Sequence, residues 1–195
     1  MTLEEMCLAA ARYSDRYDEM EKTEDGEYEE DAQHYINVFR DAINEAYREV
    51  SRKFASPDTY TAVTVNRNKQ IDLSAIEPAV YTVKEILNDT KSASVGYPFD
   101  TQYILNVQAE PNTRVSLYYH YIPEDLLNMK DSPVFTDAQV DPMIYISLAV
   151  ARMWQSEKKF DYANHWMSQY YTLLRDVKNG LGDRSKRRIP RRRFR

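Results

Sequence analysis

The sequence predicts an α+β fold: a bundle of about four helices, an antiparallel β module inserted between the second and third, and an extended basic arm at the C-terminus. Three observations predict it. Apolar residues recur at helical spacing near both ends of the chain, the spacing drops to two over the middle, and the last dozen residues hold cations without one acid. With 195 residues, 43% hydrophobic and 29% charged, residues 1–183 suffice for one domain whose core needs neither disulfide nor metal.

The first helix is placed at residues 2–20. Thr2 and Glu5 stand at capping-box spacing, and Leu3, Met6, Ala10, Tyr13 and Tyr17 fall on one face. Residues 18–31 are strongly acidic and contain the turn pair Asp25-Gly26; they read either as a solvated loop or as a surface for a basic partner. The second helix, residues 32–55, has the cleanest stripe: Tyr35, Phe39, Ala42, Ile43, Ala46, Tyr47, Val50 and Phe54. Pro57 ends it by disfavouring the helical state of Ser56.

The β module is placed at about residues 59–122. Residues 59–65 are β-branched and alternating, Asn66 to Lys69 offers a hairpin turn, and residues 70–73 return. Further strands are expected at 79–87, 102–109 and 114–122, with 92–100 as a loop. Short turns favour an antiparallel arrangement. Helices resume at 141–159, where Asp141-Pro142 supplies a cap and a proline at the first helical position. A fourth helix at 161–178 carries Tyr162, Trp166, Tyr170, Leu173, Leu174 and Val177 on one side. Asn179-Gly180 reads as its stop, and Gly182 loosens the exit into the arm.

Catalytic and metal-binding patterns are not found. His34, His120 and His165 fall in three different segments with no Cys or acid at ligand spacing. The single cysteine, Cys7, reads as a small buried hydrophobe in a helix, and it suits a reducing compartment. No nucleophile elbow, phosphate loop, dinucleotide fingerprint or zinc-protease motif occurs. The expectation is a non-enzyme without cofactor or metal. The acidic start Met1-Thr2-Leu3-Glu4-Glu5 reads as no secretory leader, and no apolar run is long enough for a membrane span.

Two features point outward. Tyr118, Tyr119 and Tyr121 lie on one strand, as interface aromatics or as core between sheet and helices; alternation puts Tyr119 and Tyr121 on one face and Tyr118 on the other. The second is the arm, residues 184–195. Arg184, Lys186, Arg187, Arg188, Arg191, Arg192, Arg193 and Arg195 hold eight of the 26 basic residues, with Ile189 and Phe194 as apolar anchors between them. The other 183 residues carry 18 basic against 31 acidic groups, a net charge of −13 beneath an overall −5. Such an arm binds nucleic acid or an acidic protein surface, or serves as a solubilising tail.

The order of segments resembles the head–tail adaptor (connector) proteins of tailed phages. The pieces that carry the resemblance are LEEMCLAAARYSDRY, FRDAINEAYREVSRKF, the β module with its strand LYYHYIPEDL, and VDPMIYISLAVARMWQSEKKFDYANHWMSQYYTLLRD, together spanning nearly residues 1–180. The resemblance implies a virion structural protein forming a homo-oligomeric ring, commonly a dodecamer. It implies the portal protein and tail or nozzle proteins as partners, DNA passing through the lumen without specific binding, no membrane, and no catalytic residues. The competing expectation is a nucleic-acid-binding module that uses the arginine-rich arm.

Overall fold

The computed structural model describes residues 1–23, 28–53, 57–88, 90, 93–101, 103–135 and 139–186, and for residues 31 and 178–186 the backbone alone. The fold is mixed α+β, with four α-helices and small antiparallel sheets. The chain divides into two units: a helical one from Met1–Ala55 and Asp125–Arg195, and a β unit, Ser56–Glu124. The β residues are thus an insertion between the second and third helices.

In the helical unit, α1 (Leu3–Tyr13) opens on the expected capping box. The Thr2 hydroxyl accepts the Glu5 N–H at 3.2 Å, and the Glu5 carboxylate accepts the Thr2 N–H at 2.8 Å. The helix stops at Tyr13 and does not reach residue 20. Asp15 turns to φ 55°, Arg16 N–H bonds back to the Ala11 carbonyl and Asp15 N–H to that of Arg12, which closes a Schellman-type end. A single 3-10 turn, Tyr17–Glu19, follows.

α2 (Glu30–Lys53) is the long amphipathic helix, and α3 (Met143–Ser156) is enclosed on every side over its first two turns. Every residue from Ile144 to Ala151 is buried, as are Met153 and Trp154. A helix of that kind is stable only when enclosed. Accordingly α3 packs against α1, α2 and α4 (Phe160–Lys186). Leu3, Met6 and Ala10 of α1, Ile36, Phe39, Ile43, Ala46, Tyr47 and Val50 of α2, and Ala163, Tyr170 and Leu174 of α4 complete this core.

Asp141 caps α3 much as expected: its carboxylate accepts the Met143 N–H at 2.9 Å while Pro142 already has helical angles. The C-terminus repeats the device of α1. Lys158 at φ 60° lets Lys159 N–H bond to the Trp154 carbonyl, so α3 ends at Ser156, three residues short of the expected 159. α2 likewise runs from 30 to 53, against the expected 32–55. The stop expected at Asn179-Gly180 is overturned, because α4 continues through both glycines to Lys186. Glycine inside a helix costs about 1 kcal/mol relative to alanine, a weak barrier where the hydrogen-bond ladder continues. The backbone of Arg184 and Lys186 falls within α4 as bounded; the remaining arm residues lie outside the described ones.

In the β unit the strands are β1 (Asp58–Thr64), β2 (Gln70–Asp72), β3 (Val80–Asn88), β4 (Ile104–Asn106) and β5 (Arg114–Tyr121). They pair antiparallel in the orders β1-β5-β3 and β2-β4. The hairpin expected between β1 and β2 is not formed. The Asn66–Lys69 turn exists, with Lys69 N–H on the Asn66 carbonyl, but it passes the chain from one sheet to the other. β4 is shorter than the expected 102–109. Residues 93–100 are not a free loop: Asn88 N–H bonds to the Ala93 carbonyl, Val95 N–H to that of Ile86, and Asn106 N–H to that of Pro98. Val65, Ile71, Leu73, Ile86, Leu105, Val107, Val115, Leu117 and Tyr119 form a core separate from the helical one.

Asn44, buried in mid-α2, holds the chain as it re-enters the helical unit. Its side chain accepts the Leu126 N–H at 2.8 Å and donates to the Leu126 carbonyl at 3.1 Å. Asn44→Ala orphans both groups in a buried site, so urea unfolding should show a loss of about 3 kcal/mol at unchanged m-value.

Candidate partner-binding surface

On β5, alternate residues face the β core, and Val115, Leu117 and Tyr119 are buried there. Tyr119 is fully buried, so it is a core residue and offers no contact surface. Tyr121 is half-buried against the same core. Tyr118 points to the opposite face, where its ring stacks on exposed Tyr60 of β1 at 5.3 Å between centroids. The three tyrosines thus divide between the interior and one outer patch.

A larger aromatic surface lies on α4. The inward face, Ala163, Trp166, Tyr170, Leu174 and Val177, meets the helical core. Beside it stand Phe160, Tyr162 and Tyr171, each about 60% exposed. Tyr162 lies 5.3 Å from the Trp154 ring, and Tyr13 of α1 lies 5.3 Å from Trp166. Tyr162 was expected on the same side as Trp166 and Tyr170 but stands outside the core, while Phe160 and Tyr171 lie off the stripe that the period marks. With 27 residues, α4 is about 40 Å long, roughly twice α3, and among its described side chains Val177 is the last one packed on the core.

Acidic side chains dominate the described surface around the 3-10 turn: Asp18, Glu19, Glu21, Glu29 and Glu30 are exposed. The stretch is tied down. Lys22 and Tyr28 form an antiparallel bridge, and both reach Glu4 in the first turn of α1, at 2.5 and 3.0 Å. The Lys22 ammonium, and then the Tyr28 hydroxyl, hold the Glu4 carboxyl below its ordinary range. Burial and the Glu4 charge push the Tyr28 phenol up. Arg16 spans from Glu19, at 2.5 Å, to Glu157 at the α3 end, and Lys159 meets Glu157 at 2.9 Å. Lys159 and Arg16 lower the Glu157 pKa. Arg152 grips Glu45 through two nitrogens, at 3.1 and 2.5 Å, and Tyr170 donates to Glu49 at 2.6 Å. These pairs join α1, α2, α3 and α4 at the rim of their core.

Nucleophile and ligand chemistry finds little here. Burial pushes the Cys7 thiol up to about 12, the opposite of activation. His34 stands exposed beside Tyr35, His165 beside Trp166, and His120 lies on β5. Among the described residues, no three His, Cys, Asp or Glu side chains gather at a spacing that holds a metal ion, and no helix is long and apolar enough to cross a membrane. Compared with known proteins, the chain matches no family model and no curated sequence.

The depressed carboxylates Glu4, Glu49, Asp58, Asp131 and Glu157 link stability to acid. A carboxyl whose folded pKa is lowered stabilises the fold above its unfolded value, about 4, and that contribution is lost as pH falls through the folded value. Melting temperature should hold from neutrality to about pH 5 and fall steadily toward pH 3. Arg16→Ala should flatten that fall by removing one partner of Glu157, which differential scanning calorimetry across the range would read.

Proposed function

We propose that this chain is a structural subunit of a tailed-phage virion: an adaptor that assembles as a homo-oligomeric ring, joins the portal to tail or nozzle proteins, and lines a channel for DNA. The ring is commonly a dodecamer in the family it resembles, and the role needs no enzymatic centre, cofactor or membrane. The observation that carries the reading is the order of elements. Two helices, an inserted antiparallel β unit and two further helices follow one another, the same order on which the sequence resemblance, over nearly residues 1–180, rests.

Charge supports it. Residues 1–183 carry a net −13, and among the described cations Arg16, Lys22, Arg48, Lys53, Lys84, Arg152 and Lys159 are already held by carboxylates. An acidic body repels phosphate, as suits a channel through which DNA slides without being gripped. The basic residues from 184 to 195 then act on a partner. Arginine pairs with carboxylates through two parallel bonds and keeps its charge when partly buried, so an acidic surface of the portal is the dock.

The second reading, a nucleic-acid-binding module, is favoured by the same concentration of cations. One truncation separates the two. Removing residues 187–195 leaves all of α4 in place, so the melting temperature should stay unchanged while attachment to portal-containing heads weakens. Normal attachment, with loss of salt-dependent DNA affinity alone, means that the segment is a nucleic-acid arm.

A further inference from the structure

The outward face of α4 is complementary to itself. At about 100° per residue, Asp161, Ser168 and Arg175 fall within about 20° of one line along the helix. That line lies opposite the buried Ala163, Tyr170 and Leu174. All three of its residues are exposed, and among the described residues neither Asp161 nor Arg175 has an ion-pair partner. The line therefore carries an acid at one end, a base at the other and a small side chain midway between them.

The flanks of the line carry more than a solvated surface needs. On one side stand Phe160 and Tyr171, 60% and 59% exposed, and neither ring packs on the core. Asn164 lies on that same side, between them. On the other side Thr172 donates its hydroxyl to the Ser168 carbonyl at 2.9 Å, so it can lose its water without losing a hydrogen bond. Asp176 turns about 80° from the line, on the flank opposite Phe160.

We infer that α4 packs antiparallel against α4 of a second copy of this chain, with the two-fold axis beside Ser168. The charge pattern selects this occupant. Asp161 and Arg175 each lie two turns, about 10 Å, from Ser168, so the two-fold sets each Asp161 opposite Arg175 of the second copy. A parallel pair would instead set like charges together at both ends. Ser168, the smallest side chain of the line, sits at the crossing, where helix axes approach to about 8–10 Å. The flanks agree. Tyr171 lies about one turn past the axis and Asn164 about one turn before it, so each tyrosine ring covers Asn164 of the second copy. Phe160, next to Asp161, packs on the stem of the same Arg175 that Asp161 pairs with. One helix face is small beside the roughly 800 Å² per partner of a standard interface, so the association is weak, with a Kd on the order of 100 µM. A two-fold contact closes on itself and does not build a ring. The inference therefore concerns free subunits and stands or falls separately from the adaptor reading.

Sedimentation velocity of the full chain should show the average mass rising from monomer toward dimer between about 10 and 500 µM. Asp161→Arg and Arg175→Asp, both at exposed positions, should each abolish that rise at an unchanged circular dichroism spectrum. The double variant carrying both changes restores opposite charges across the contact and should dimerise again, which a general loss of stability cannot produce. Cross-linking gives an independent readout. Mild oxidation should join Ser168→Cys, which faces its own copy, into a covalent dimer. Thr172→Cys, equally exposed but about 12 Å from its own copy along the helix, should stay uncrosslinked, and buried Cys7 does not compete. A wild type that stays monomeric across the range, a single variant that still dimerises, a double variant that does not, or equal cross-linking at 168 and 172 overturns the inference.

Discussion

The helical unit is organised by one constraint: the first two turns of α3 leave no face for water. From Ile144 to Ala151 every side chain is buried, so water must be kept from the helix on all sides. Three helices are needed to do that, and α1, α2 and α4 each present one stripe to it. Polar side chains stay outside, at the ends of α3 and on the outer faces of its neighbours, and the ion pairs Arg152–Glu45, Lys53–Glu49 and Arg16–Glu157 sit at the rim. At such half-exposed positions each pair adds at most about 1 kcal/mol; burial, not charge, holds the bundle. The same enclosure explains Asn44 and Tyr47, which turn inward from α2 to hold the backbone at Leu126 and Val134.

The β unit solves a different problem. It has a core of its own, built from Ile86, Leu105, Leu117 and Tyr119 among others, and its strands are short. Short strands bury little, so each edge matters: Asn66 and the turn after Asp72 finish the β2 side. Functionally the two units differ in the same way. The helical unit leads into the cationic C-terminus through α4, and the β unit presents the Tyr60–Tyr118 stack.

The helices were legible because their signals are local. The Thr2–Glu5 box and Asp141 sit where the caps form, and the 3.6-residue period of α2 marks its buried face. The ends were less so. Asp15 and Lys158 close α1 and α3 at positive φ, a conformation for which glycine is the usual sign, while Gly180 and Gly182 stand inside α4. Pairing of the strands was not legible at all from the turn at Asn66–Lys69. β1 finds its partner in β5, far along the chain, because Val63 and Val115 share a core that no short-range rule describes. Of the candidate site, alternation separated Tyr118 from Tyr119 correctly, but Tyr162, read as part of the one-sided stripe, is exposed, and the exposed Phe160 and Tyr171 went unseen.

The adaptor reading makes this chain a component that acts by assembly, with the portal as its first partner. Native mass spectrometry of the purified protein, alone and mixed with the portal ring of the same particle, tests that most directly. The account predicts a complex in which many copies join one portal ring. Free protein and free portal side by side, at concentrations where the chain binds DNA with steep salt dependence, would contradict it.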